Sequence, residues 1–234
     1  AERRMVGVRM GLLQEPVGLP GATFAYSNLG YTIAGVMLER AAGAEYEQLM
    51  ADHIFTPLGM TSAGWGAPGT PNELTQPCGH SRTLRGYQPV SFDAPVNDNP
   101  AAIAPAGTCH ASITDWGRFI AAHVREGADG LLATQDTFKT LHTALGDDYA
   151  LGWMVTQRPW SKGPVLMHAG SNGLWFAVAW LAPEEDMAMI AVCNAADQKA
   201  TIACDAAVSS LVLDPPAPAD AAAPVNPNQS GSAE

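Results

Sequence analysis

The chain has 234 residues, 47% of them hydrophobic, enough for one substantial core or for two lobes sharing a cleft. A net charge of −11, with 12 Lys and Arg against 23 Asp and Glu, argues against a surface built to hold nucleic-acid phosphates. No apolar run approaches the roughly 20 residues that a membrane-spanning helix needs.

Residues 1–18, AERRMVGVRMGLLQEPVG, are interrupted by Arg9 and hold no long apolar region, so they do not read as a signal peptide. Val6, Met10 and Leu13 fall at helical spacing and predict a helix entered in mid-pattern, as though the chain started inside a longer one. A second helix is predicted over 28–42. Ser27 or Asn28 can cap it, Leu29, Ile33, Met37 and Ala41 share a face, and Gly43 stops it. A third, at about 45–55, should turn Tyr46, Leu49, Met50 and Ile54 inward before Pro57 ends it.

Periodicity then disappears over 61–108, where Pro68, Pro71, Pro77, Pro89, Pro95, Pro100 and Pro105 punctuate a long stretch. A loop of that length usually lines a functional cleft, with room for short strands. A helix restarts at Ser112, with Asp115 as the acid of a capping box and Trp116, Phe119, Ile120 and Val124 as its buried side. Four strand-like runs follow: YALGWMVT (149–156), VLMHAG (165–170), LWFAVAWLA (174–182) and MAMIAVC (187–193). The turns between them are too brief for helical crossovers, so the sheet should be antiparallel.

Residues 197–212 predict a helix packed on that sheet, and 214–234, rich in Pro and Ala, predict a disordered tail. The organisation is therefore of α/β content in the α+β sense. A mostly helical lobe with cleft-lining loops (1–148) precedes an antiparallel sheet with a terminal helix (149–213), and no internal repeat is evident. Four cysteines, Cys78, Cys109, Cys193 and Cys204, form no CxxC and are expected to be buried free thiols.

Three constellations could carry chemistry. AGSNG at 169–173 approximates a Gly-x-Ser-x-Gly nucleophile elbow. It is followed by a strand-like run rather than a helix, and His168 is the last histidine, so the elbow lacks its downstream base. Cys78, His80, Cys109 and His110 are zinc-compatible residue types without zinc-knuckle spacing, and a packed thiol and a solvated histidine explain them better. The third joins Tyr26 and Asn28 to His168-Ala169-Gly170. Taken singly, Tyr26 reads as an aromatic at a helix entry, Asn28 as a cap, and His168 as a strand-end histidine on a backbone carbonyl.

The stretch PVGLPGATFAYSNLGYTIAGVMLERAAG resembles the serine β-lactamase-related family of class C β-lactamases, D-alanyl-D-alanine carboxypeptidases and esterases. IFTPLGMTSAGW, PAGTCHASITDWGRFI, YALGWMV and HAGSNGLWFAVAWLAPEEDMAMIAVCNA agree in the same order, so the resemblance spans about 16–212. It implies a β-lactamase/transpeptidase-like fold and acyl-enzyme hydrolysis of a small-molecule or peptide-like substrate. It implies no metal or organic cofactor, and a periplasmic or secreted location. By the same resemblance, Tyr26 is the tyrosine of proton transfer at the nucleophile, and Asn28 contacts the first-motif lysine and the substrate amide. His168-Ala169-Gly170 stands where Lys-Thr-Gly stands, in the histidine form of esterase-like members, and the Ser171 N–H joins the oxyanion hole. Acyl transfer needs such a base and such N–H donors, and Gly170 would let a substrate backbone approach.

The departure is the first motif. Lys139, Lys162 and Lys199 are the chain's only lysines, and Asp136, Pro159 and Ala196 stand three residues before them, so there is no Ser-x-x-Lys. The fold is then expected to be incomplete on its N-terminal side, with the missing segment as a partner; a non-catalytic binding or structural module is the alternative. Ala169, lacking the usual hydroxyl, points with His168 toward ester or peptide-like substrates rather than a β-lactam carboxylate.

Overall fold

The computed structural model describes residues 2–19, 21–70, 73, 75–94, 96–127, 131, 135–146 and 148–214. The predicted tail, save Asp214, lies outside the described residues. Helix α1 (Glu2–Leu12) forms where expected, but Val6, Met10 and Leu13 are exposed, and Arg4 and Val8 are buried instead. The cause is electrostatic. The Arg4 guanidinium pairs with Glu39 and Glu47 and lies 5.5 Å over the Tyr46 ring, so a charged residue becomes the docking point.

Helix α2 (Asn28–Ala42) is capped by Ser27, whose Oγ accepts the Gly30 N–H at 3.0 Å, and closes on Gly43 at φ 68. Its buried residues are Thr32, Gly35 and Val36; Leu29 and Met37, expected inward, are exposed. Gly35 explains the rotation, because a Cβ there would lie 2.4 Å from Pro105 Cγ. Close approach of α4 (Ala104–Gly107), rather than large side chains, sets the inner face of α2. Helix α3 (Tyr46–Met50) widens into a π turn over Ala51–Phe55, where Phe55 is the buried residue and Tyr46, Leu49, Met50 and Ile54 are half-buried.

The Pro-rich stretch does hold short strands. β1 (Gly64–Trp65) pairs with β4 (Cys109–His110), and β2 (His80–Thr83) with β3 (Gly86–Pro89), both antiparallel. In α5 (Ile113–Val124) the Ser112 Oγ accepts the Asp115 N–H at 3.2 Å. The Asp115 carboxylate does not return to the cap. It accepts from the Ser62 N–H at 2.7 Å and the Ser62 hydroxyl at 2.6 Å, tying α5 to the turn after α3. Helix α6 (Gln135–His142), to which the sequence reading gave no element, buries Phe138 completely.

The main sheet runs β5 (Met154–Thr156), β6 (Val165–Ser171), β7 (Phe176–Ala182), β8 (Met187–Cys193), in that spatial order and antiparallel throughout. Alternation along β7 sends Ala179 and Leu181 to one side and Val178 to the other. On the first side α5 adds Ile120 and Val124 to Trp153 and Leu166. On the second α7 (Gln198–Leu213), capped by Asp197, adds Cys204 and Val208 to Met189. Helices thus cover both faces of the sheet, and its strand ends are left to build a site. All four cysteines are free thiols, but only Cys204 is buried and Cys109 is exposed, so the expectation of buried thiols holds at one position.

Candidate active site

Residues 24–27 are irregular chain leading into the N-cap of α2, which sets Phe24 and Tyr26 on the surface at 44% and 59% exposure. Opposite them stands β6. Its burial falls along the strand: Val165 and Leu166 are in the core, Met167 and His168 half-buried, and Ala169, Gly170 and Ser171 exposed. β5 pairs only with Val165–Met167, whereas β7 follows β6 all the way to Ser171. From His168 onward one edge of β6 therefore has no strand beside it among the described residues. Such an edge can present backbone N–H and C=O groups to an extended substrate.

The structure brings Tyr26 and His168 together, with ring centroids 6.5 Å apart. Tyr149 stands against both, edge-on to Tyr26 at 6.2 Å and with its hydroxyl 3.4 Å from His168 Nδ1. Phe24 stacks on Tyr149 at 4.6 Å. The Tyr149 hydroxyl is pushed up to about 12, first by burial and then by Tyr31 and Tyr26, so it stays a neutral phenol. His168 Nδ1 lies 2.6 Å from the Gly152 carbonyl oxygen, and the Trp153 ring meets His168 edge-to-face at 6.5 Å. Gly152 itself has φ 96, a left-handed conformation that glycine adopts without strain.

Asn28 sits in the first turn of α2, where its carbonyl accepts the Thr32 hydroxyl at 2.8 Å. Its exposed amide side chain has no hydrogen bond among the described residues and touches neither Tyr26 nor His168 through one. Gly170 has open space where a side chain would go. The Ser171 hydroxyl accepts the Gly173 N–H at 2.9 Å, and the turn beyond is fixed by Asn172. Asn172 Oδ1 accepts the N–H groups of Leu174 and Trp175, each at 3.0 Å, while its Nδ2 donates to Asp98 at 2.9 Å. The Pro-rich stretch thereby reaches the end of β6.

The sequence reading missed Tyr149, Gly152, Asn172 and Asp98. For Gly152 a signal existed: a glycine inside a strand-like run marks a bend. The alternative zinc set shows satisfied histidines instead. His80 Nδ1 is 3.2 Å from the Asn194 carbonyl and His110 Nδ1 is 2.7 Å from that of Gly66. No group of three or more His, Cys, Asp or Glu among the described residues is placed to hold a metal. Two grooves, of about 220 and 440 Å³, flank β8 rather than the Tyr26–His168 face. The convergent polar groups are at the latter. No helix among the described residues is long and apolar enough to cross a membrane.

Residues 7–211 match the family described as Beta-lactamase. Among curated proteins, Penicillin-binding protein 4* of Bacillus subtilis (strain 168) is 24% identical over 159 residues, covering 64% of this chain and 35% of that protein. D-aminopeptidase of Brucella anthropi is 27% identical over 180 residues, covering 75% and 32%. Among solved structures, the octameric penicillin-binding protein homologue from Pyrococcus abyssi aligns with a TM-score of 0.68 at 18% identity, covering 84% of this chain and 44% of that one. A class C β-lactamase mutant gives 0.65 at 16% identity, covering 86% and 60%. The chain thus spans about a third of the length of those two curated relatives.

Proposed function

The chain belongs to the β-lactamase family, one of serine hydrolases with this helix-and-antiparallel-sheet fold, and from that premise we propose that it forms the acid/base and substrate-aligning part of an acyl-transfer site. The whole protein would hydrolyse an amide, ester or β-lactam-like bond through an acyl-enzyme, with the Ser-x-x-Lys nucleophile supplied by a polypeptide segment other than residues 1–234. The observation that carries the reading is the meeting of Tyr26 and His168 across Tyr149, beside a β6 edge with no strand on it among the described residues.

Each residue then has a physical task. Tyr26 relays the proton between the nucleophile and the leaving group, which requires a neighbouring positive charge to make a phenol basic; the first-motif lysine would be that charge. Asn28, its amide free, hydrogen-bonds that lysine and the substrate amide. His168 accepts a hydrogen bond on the ring nitrogen turned away from Gly152. Gly170 admits the substrate backbone to the open edge of β6, and the Ser171 N–H donates to the oxyanion. A small-molecule or peptide-like substrate fits such an edge. The names of two relatives, a D-aminopeptidase and a D-amino acid amidase crystallised with L-phenylalanine amide, favour amides among the candidates.

The test is hydrolysis of a p-nitrophenyl ester, a D-aminoacyl p-nitroanilide and a chromogenic cephalosporin. The substrates are offered to this chain and to the chain joined to its upstream coding sequence. Turnover by the joined protein alone, with an in-frame Ser-x-x-Lys upstream, is expected. Inactivity of that joined protein toward all three substrates, or a native start codon immediately before residue 1, would favour the non-catalytic module.

A further inference from the structure

We infer that Gly152 is a positioning residue of the site: its carbonyl holds His168 as the Nδ1–H tautomer and so makes Nε2 the hydrogen-bond acceptor. The argument begins with which groups can donate. Among the described residues His168 Nδ1 has two polar neighbours, the Gly152 carbonyl oxygen at 2.6 Å and the Tyr149 hydroxyl at 3.4 Å. A carbonyl oxygen only accepts, so the short contact requires the proton on Nδ1; a bare Nδ1 would set two lone pairs against each other at that distance. The phenol can donate or accept, and at 3.4 Å it follows the carbonyl.

The backbone around Gly152 is built to aim that carbonyl. Gly152 has φ 96, its N–H donates to the Ala150 carbonyl at 2.9 Å, and the Ala150 N–H donates to the Trp153 carbonyl at 2.7 Å. Val155 N–H in turn donates to the Asp148 carbonyl at 2.7 Å, where Asp148 has φ 55. Glycine adopts such a torsion without strain, so in this five-residue bend the conformational cost falls on Asp148, the non-glycine residue in the left-handed region. A Cβ on Gly152 would meet only the Tyr31 hydroxyl, at an ordinary 3.5 Å, so glycine is demanded there by torsion rather than by crowding.

The consequence is a polarity. With Nε2 unprotonated, His168 takes a hydrogen bond from a hydroxyl in the cleft, whereas a lysine at that strand position could only donate. If the carbonyl swings away, the Tyr149 hydroxyl becomes the remaining neighbour of Nδ1. A neutral phenol can accept from Nδ1–H or donate to a bare Nδ1, so it fixes neither tautomer. Replacing Gly152 should therefore release the ring to populate both tautomers.

The measurement is a two-bond 1H–15N correlation of the histidine rings in the intact chain at mildly alkaline pH, with His168 identified by the signals lost in His168→Gln. The wild type should show Nδ1 in the protonated and Nε2 in the unprotonated range. Gly152→Ala should move the two toward each other, into the range of mixed tautomers, while Tyr149→Phe should leave them as in the wild type. Gly43→Ala, which burdens another left-handed glycine (φ 68) far along the chain, should also leave them unchanged. A wild-type ring protonated on Nε2 would overturn the inference. So would a Gly152→Ala ring that keeps Nδ1–H, or inversion in Tyr149→Phe. Should Gly152→Ala fail to fold, the wild type and Tyr149→Phe still decide. The functional consequence rests on the proposed hydrolase reading, but the tautomer is read without substrate or nucleophile, so the two can fail separately.

Discussion

Tyr26 offers its hydroxyl from an exposed ring, so Tyr26→Phe removes one oxygen and almost no packing. In the whole protein, turnover should fall by about 10²–10⁴, the usual loss for a positioned acid or base, while the melting curve stays in place. Steady-state kinetics paired with thermal melts would check this, and unchanged turnover would return Tyr26 to its helix-entry role. Tyr26 and His168 were legible in the sequence because each sits in a short motif of fixed order. Tyr149 and Gly152 were not, although YALGWMV is one of the family-like segments. Read as a strand, that run hides the left-handed bend at Gly152, and the bend is what turns its carbonyl to the histidine.

At the scale of elements, the pairing of α5 with α6 has a pH dependence of its own. His123 and His142 share one hydrogen bond, Nδ1 to Nε2 at 3.0 Å, in a nest of Phe119, Phe138 and Trp153. Burial first, and then the charge of His142, lowers His123 to about 3; burial lowers His142 to about 4. Both folded values lie below the ordinary 6.5, so the unfolded chain takes up protons first. Stability is complete above that value and is lost as pH falls from about 6.5 toward 4, by about 1.4 kcal/mol per pH unit for each proton. Denaturant titrations across that range should show the slope, and His123→Phe with His142→Leu should flatten it. A slope that survives the double substitution would place the acid sensitivity elsewhere.

At this scale β6, β7 and β8 were legible to within two residues, since the turns between them are short, whereas β5 starts at Met154 and not at Tyr149. The inner faces of α1 and α2 were not legible. Arg4 is buried by two carboxylates distant in sequence, and Gly35 is buried by the closeness of Pro105, neither of which hydropathy periodicity records.

For the whole molecule, the outer edge of β8 has no partner among the described residues. Val192 on it is 53% exposed, and Met10, Leu12 and Leu13 on and just after α1 are 64–83% exposed. An unpaired edge, and apolar side chains left exposed, each favour association. The chain alone should run as heterogeneous assemblies in light-scattering chromatography; a monodisperse monomer with a sharp cooperative melt would contradict this. Fold class and strand order follow from the sequence, but the nucleophile cannot, because no serine here stands three residues before a lysine. Intact-mass analysis after exposure to a fluorophosphonate and a β-lactam tests that point most directly. The account predicts no adduct on residues 1–234 alone, and one adduct, on the Ser-x-x-Lys serine, when the upstream segment is joined. A stoichiometric adduct on any serine of the chain by itself would contradict it.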